Sequence, residues 1–145
     1  MNNMKIVIAS DHAGFELKQY IKQELNNSID IKDVGCHSEK SVDYPDFAHL
    51  AAKEINNDNV EFGIFICGSG NGIQMTANKH QKIRCALCWS KEIAVLSRSH
   101  NDANAIAIPA RFLKKEEAIE IINSFITTSF EGGRHQKRKD KISCV

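Results

Sequence analysis

Short apolar runs alternate along this chain with segments in which apolar residues recur every three or four positions. Residues 4–10 read as a first buried strand, with Asp11-His12-Ala13-Gly14 as its turn. Phe15, Leu17, Ile21 and Leu25 then form one helical stripe, which Asn26-Asn27 ends. Residues 29–34 read as a second strand. The polar stretch 35–45 is longer than most connections, which points to function. Asp46 is expected to cap a helix carrying Phe47, Leu50, Ala51 and Ile55. A third strand runs from Phe62 to Cys67, a helix covers 73–79 and a fourth strand covers 83–88. Ser90 caps the next helix, with Ile93, Ala94, Leu96 and Ser97 expected inward and its end near His100-Asn101-Asp102. A fifth strand at 105–108 leads through Pro109-Ala110-Arg111 to a helix over 114–126, with Ala118, Ile121, Ile122 and Phe125 on one face. This alternation predicts a three-layer, Rossmann-like α/β fold with a five-stranded parallel sheet and a C-terminal helical tail.

A chain of 145 residues is read as one domain, 1–145, able to bury a core without disulfides. Charge narrows the partners. The net charge is +1, but residues 130–145 hold five Lys or Arg against two Asp or Glu, so a basic tail follows a slightly acidic body. No aromatic residues interleave with the tail's charges, which argues against a nucleic-acid partner. The N-terminus lacks a signal-peptide pattern, its apolar run is too short to span a membrane, and five cysteines are an odd number. The expectation is a cytoplasmic protein with reduced thiols and no membrane partner.

Three glycines follow Cys67 in Gly68-Ser69-Gly70-Asn71-Gly72. Such a loop between strand and helix brings backbone N–H groups close to an anion. Ile73 stands where a dinucleotide fingerprint needs its third glycine, and no Gly-Lys-Ser/Thr makes it a P-loop. Two readings stay open: a small anion site, or a plain tight turn. Cys67 is either a buried structural residue or a thiol lowered in pKa by its position and able to act as nucleophile or general base. Asp11 and His12 follow one strand end, Cys67 to Gly72 another and Arg111 a third, and ligands of such sheets sit beyond the carboxyl ends of the strands. Arg134 and Arg138, four apart on a helix, either clamp a phosphate or belong to a solvated tail. Cys85 and Cys88 face opposite sides of a strand and have no second pair, which favours structure over metal or redox chemistry.

These residues together resemble a known family. Ser10-Asp11-His12-Ala13-Gly14-Phe15, Asp43-Tyr44-Pro45, Cys67 to Gly72, Ala77-Asn78-Lys79, Ser97 to Asn104 and Gly132 to Arg138 match, in order, the type B ribose-5-phosphate isomerases, a group that also holds galactose-6-phosphate and allose-6-phosphate isomerases. The resemblance implies interconversion of an aldose phosphate and its ketose through a cis-enediolate, without metal or cofactor, in the non-oxidative pentose phosphate pathway. It implies that Cys67 is the base, that His100 opens the sugar ring, and that Asp11 lies near the substrate oxygens. Ser69 and the amides of Gly68, Gly70, Asn71 and Gly72 would hold the enediolate, with Tyr44 and Asn101 at the sugar and His12, Arg111, Arg134 and Arg138 around the phosphate. One branch of the family has a glutamate base where this chain has Ile73, so the chain resembles the cysteine branch. A homodimer, or a pair of dimers, with shared sites is also implied. A module that binds a sugar phosphate or nucleotide without chemistry is the alternative that the glycine loop alone would permit.

Overall fold

The computed structural model describes residues 3–143. Cys144, the fifth cysteine, and the last residue of the basic tail lie outside them, as do Met1 and Asn2 of the N-terminal pattern. The sheet is parallel throughout, with β1 at Met4–Ser10, β2 at Ile29–Asp33, β3 at Phe62–Cys67, β4 at Cys85–Leu87 and β5 at Ala105–Pro109, in the order β2-β1-β3-β5-β4. After β2 the chain crosses β1 to lay down β3, so strand order reverses between β1 and β3, and in such sheets the ligand cleft lies there, beyond the carboxyl ends.

The central strands read as unbroken apolar runs because both faces are covered. Ile6 and Ile8, Ile64 and Ile66, and Ile106 and Ile108 point to one side. There they meet Ile21 and Leu25 of α1 (Phe15–Leu25), Ala94 of α4 (Lys91–Ser99), and Ile121, Ile122 and Phe125 of α5 (Lys115–Thr127). Val7 and Ala9, Phe65 and Cys67, and Ala105 and Ala107 point to the other side. That side is covered by α2 (Tyr44–Asn56) through Ala48, Ala51, Ala52 and Ile55, and by α3 (Asn71–Ala77) through Ile73 and Ala77. Small residues on both partners let α2 lie close. A Cβ on Gly63 would stand 2.6 Å from Ile55 Cδ1.

Four expectations need correction. Asp46 does not cap α2; the helix begins at Tyr44 with Asp43 as its N-cap residue, because Pro45 is pre-set for a first turn. α3 begins at Asn71, two residues early, since Gly70 takes a left-handed φ of 77° that turns the chain directly into the helix. β4 covers only Cys85–Leu87, an edge strand paired along three residues of β5. Leu96 is 43% exposed. It lies roughly 100° around the helix from the face shared by Ile93, Ala94 and Ser97. The reading of Cys85 and Cys88 is supported: they enter opposite core clusters. Burial pushes the Cys85 thiol well up and that of Cys88 to about 12, despite its hydrogen bond with Ser97, so neither is a ready thiolate.

Lys18 was not foreseen inside. It is fully buried, and its Nζ donates to Asp33 Oδ2 at 2.6 Å, while Lys22 Nζ reaches the same oxygen at 2.8 Å. Asp33 Oδ1 accepts from Gly35 N–H at 2.9 Å, and Gly35 O accepts from Ser10 N–H at 2.8 Å. A buried ion pair thus ties the exit of β2 to the end of β1, next to Asp11. Burial alone would raise the Asp33 carboxyl, but the lysines and the Gly35 amide hold it below its ordinary value.

Candidate active site

The cleft is built from three strand ends. Asp11 N–H donates to Ile66 O at 3.2 Å, so the turn after β1 is stitched to β3. The Asp11 side chain is buried and its Oδ1 accepts the Gly14 N–H at 3.1 Å, capping the short 3₁₀ turn His12–Gly14. Gly14 lies so tightly on β3 that a Cβ there would stand 2.6 Å from Ile66 Cγ2. Beside it, β3 ends in Cys67, which is 4% exposed. Cys67 O accepts from Ala110 N–H at 2.9 Å and Gly68 O from Arg111 N–H at 3.0 Å, so the exit of β5 runs along the glycine loop. This places Arg111 against the loop. Its Nη1 lies 3.0 Å from where a Gly68 Cβ would be.

Within the loop, Ser69 Oγ accepts the Asn71 N–H at 3.3 Å. Gly70 is required twice, by its positive φ and by space, since a Cβ would stand 2.5 Å from Leu87 Cδ1. The Tyr44 ring occupies the volume a Gly72 side chain would need, so Tyr44 closes the α2 side of the cleft. The polar loop before α2 has a task of its own. Val42 N–H donates to His12 Nδ1 at 3.2 Å. That bond makes Nδ1 the acceptor and leaves Nε2 to carry the proton of the neutral ring, a donor not used by the bond to Val42. Sequence reading missed Val42 because a backbone donor leaves no mark on residue type.

His100, Asn101, Arg134 and Arg138 are not in this cleft. His100 is the C-cap of α4, and a helix that crosses back over a parallel sheet ends at the amino edge of the strands. Asn101 follows it, just before β5 begins. β5 has five residues, so about 16 Å of strand separates this edge from Arg111. Arg134 and Arg138 lie on α6 (Arg134–Asp140), exposed and without an ion pair among the described residues. α6 docks on the end of α4. Glu131 N–H donates to Ser99 O at 3.0 Å, and the His100 and His135 rings stack with centroids 4.2 Å apart. One chain therefore carries the candidate residues as two candidate half-sites at opposite edges: Asp11, His12, Tyr44, Cys67 to Gly72 and Arg111 at one, and His100, Asn101, Arg134 and Arg138 at the other.

Asp102 fastens the second half-site. Its carboxylate meets Arg98 Nη1 at 2.9 Å, Lys139 Nζ at 3.2 Å and Arg84 Nη2 at 3.6 Å. Burial would raise this carboxyl, but hydrogen bonds and charge from Arg98 and Lys139 outweigh it and lower it from 3.8. A lowered folded-state pKa stabilises the fold above the unfolded value, and that contribution fades as pH falls through the folded value. Asp102→Asn keeps tolerance for the residue's φ of 48° while removing the charge. It should cost about 1–2 kcal/mol at pH 7. Urea melts of the two proteins should converge below pH 3.8. An undiminished gap there would contradict the charge-based account.

This fold is that of the open α/β proteins whose ligands sit at the switch point of the sheet, where Asp11, Cys67 and Arg111 lie here. The chain belongs to the ribose/galactose isomerase family, whose model matches residues 6–142. Ribose-5-phosphate isomerase B of Escherichia coli (strain K12) is 38% identical over 142 residues, covering 97% of this chain and 95% of its own. The crystal structure of a ribose 5-phosphate isomerase from Thermotoga maritima matches with a TM-score of 0.97 at 45% identity, over 99% of this chain and 100% of that one. The structure of ribose-5-phosphate isomerase B from Mycoplasma genitalium with bound ribulose-5-phosphate matches with a TM-score of 0.92 at 41% identity, over 99% and 97%. Ile73 is fully buried in the apolar core beneath the loop. Among the described residues, no helix is long and apolar enough to cross a membrane.

Proposed function

We propose that this protein interconverts ribose 5-phosphate and ribulose 5-phosphate, within the non-oxidative pentose phosphate pathway. The observation that carries the reading is the 41% identical relative that binds ribulose-5-phosphate and matches 99% of this chain. The cleft supplies what the reaction needs. Cys67, as thiolate, takes the proton from C2 of the open-chain aldose. The C–H electron pair forms the C1=C2 bond and the carbonyl pair moves to O1, giving a cis-enediolate. The O2–H proton passes to O1, the O2 pair forms the C2=O2 carbonyl, and the C1=C2 pair takes the proton back from the Cys67 thiol at C1. Backbone amides of Gly68 to Gly72, with Ser69, stabilise charge that exists only during reaction. Asp11 contacts the sugar oxygens and Tyr44 walls the cleft.

The phosphate is the remote handle. His12 Nε2–H and Arg111 approach it from one chain, Arg134 and Arg138 from another, and bidentate guanidinium contacts fix its position. His100 of that second copy moves the proton that opens the furanose ring, and Asn101 contacts the sugar. The protein is therefore a homodimer with shared sites, singly or as a pair of dimers. Exposed Leu50 on α2 and Met75 on α3 offer apolar surface for the contact. As an enzyme of phosphorylated sugars with unpaired buried thiols at Cys36, Cys67, Cys85 and Cys88, it belongs in the cytoplasm.

The test is an assay of ribose 5-phosphate conversion with a chelator present. Conversion should persist, with kcat/KM for ribose 5-phosphate at least about tenfold above that for galactose 6-phosphate or allose 6-phosphate. Loss of activity with chelator would contradict the metal-free mechanism. Faster turnover of a six-carbon phosphate would move the substrate to a hexose. Binding without solvent-proton exchange into the sugar would leave a non-catalytic module.

A further inference from the structure

The mechanism above leaves one buried titratable side chain at the second half-site unused. His135 lies on the first turn of α6 between the exposed arginines and is itself 8% exposed. Its ring lies on that of His100 at 4.2 Å between centroids and 12° between planes. His135 Nε2 is 3.6 Å from Glu131 Oε2, and Glu131 is tied by its N–H to Ser99 O, the residue before His100. Glu131, His100 and His135 bring ligating atoms within 4.8 Å of one another. The near-parallel rings, however, keep their in-plane nitrogen lone pairs from converging, which a tetrahedral cation would need. The cluster is a stack rather than a cage.

A stack has a use here. His100 is a helix C-cap with no side-chain hydrogen bond among the described residues, so neither ring nitrogen is engaged and only packing sets its torsions. Proton transfer requires the imidazole edge to meet the sugar's ring oxygen within hydrogen-bond reach. A flat partner over the face of His100 fixes the ring plane while leaving its edge free. Charge permits the arrangement. Lost hydration, with His100, Arg134 and Arg138, outweighs Glu131 and holds His135 below its ordinary pKa, which favours the uncharged form of the backing ring.

We propose that His135 is a positioning residue for ring opening, holding the His100 imidazole in its proton-transfer orientation by face-to-face stacking. The proposal rests on the reading of His100 as the group that opens the ring. It separates His135 from its neighbours Arg134 and Arg138, which act on the phosphate.

The experiment compares His135→Ala, His135→Phe and His100→Asn on two substrates: ribose 5-phosphate, and an analogue lacking the 4-hydroxyl, which cannot close to a furanose. His135→Ala should lower kcat/KM for ribose 5-phosphate about tenfold, a fraction of what general acid–base catalysis contributes. On the open-chain analogue it should change kcat/KM less than about twofold, as should His100→Asn if the ring-opening reading holds. His135→Phe keeps a flat ring without nitrogens and should recover most of the loss. Equal losses by His135→Ala on both substrates, or no recovery in a folded His135→Phe protein, would overturn the positioning role. Equal losses on both substrates by His100→Asn would instead remove the ring-opening reading, and the proposal with it.

Discussion

Replacing Cys67 with alanine is expected to abolish isomerisation and leave the fold standing. The thiol is the only ionisable side chain at the end of β3, set between the Asp11 turn and the glycine loop. General-base catalysis contributes on the order of 10²–10⁴ in rate. The structural cost is small by comparison. Removing one sulfur from the α2–α3 face of the core should cost about 1–2 kcal/mol. The backbone bonds that shape the site, from Ala110 N–H to Cys67 O and from Arg111 N–H to Gly68 O, do not involve the side chain. The checks are turnover of ribose 5-phosphate and a thermal melt on the same preparation. A folded Cys67→Ala protein with near-normal turnover would remove Cys67 from the mechanism.

Mixing two dead variants should restore activity. If Cys67 of one copy works with His100 of another, a dimer of Cys67→Ala with His100→Asn holds one doubly damaged site and one intact site. Random pairing makes half the dimers mixed, so about a quarter of wild-type activity should return once subunits have exchanged, as closed two-fold symmetry requires. Each variant alone should stay low throughout. The measurement is specific activity of a co-refolded equimolar mixture against the two separate proteins. A mixture no better than the average of its components, with exchange verified by mass, would mean that each chain completes its own site. The separation along β5 motivates the prediction, because no side chain of His100 spans about 16 Å.

Much of this was legible in the sequence, for identifiable reasons. Strands buried on two faces show as unbroken apolar runs, and β1 and β3 were read with the bounds they have. Gly70 stood out because a left-handed φ leaves a mark on residue type, and Ser90 because its side chain accepts the Ile93 N–H at 3.3 Å. What escaped depends on direction and on the backbone. A motif tally puts Cys67 and His100 in one group, but a strand end and a helix end in a parallel α/β fold lie at opposite edges. Lys18 drew no reading at all, since nothing local announces that Asp33 waits for it inside. His135 was hidden among the arginines of a basic tail, its burial set by contact with α4.

The two half-sites at opposite edges of the sheet have a consequence for how this enzyme can change. With the site shared as proposed, a substitution at the subunit contact that touches no reacting atom would become a catalytic lesion, because it would move the acid of one copy relative to the base of the other. Selection for turnover would then also be selection for quaternary geometry.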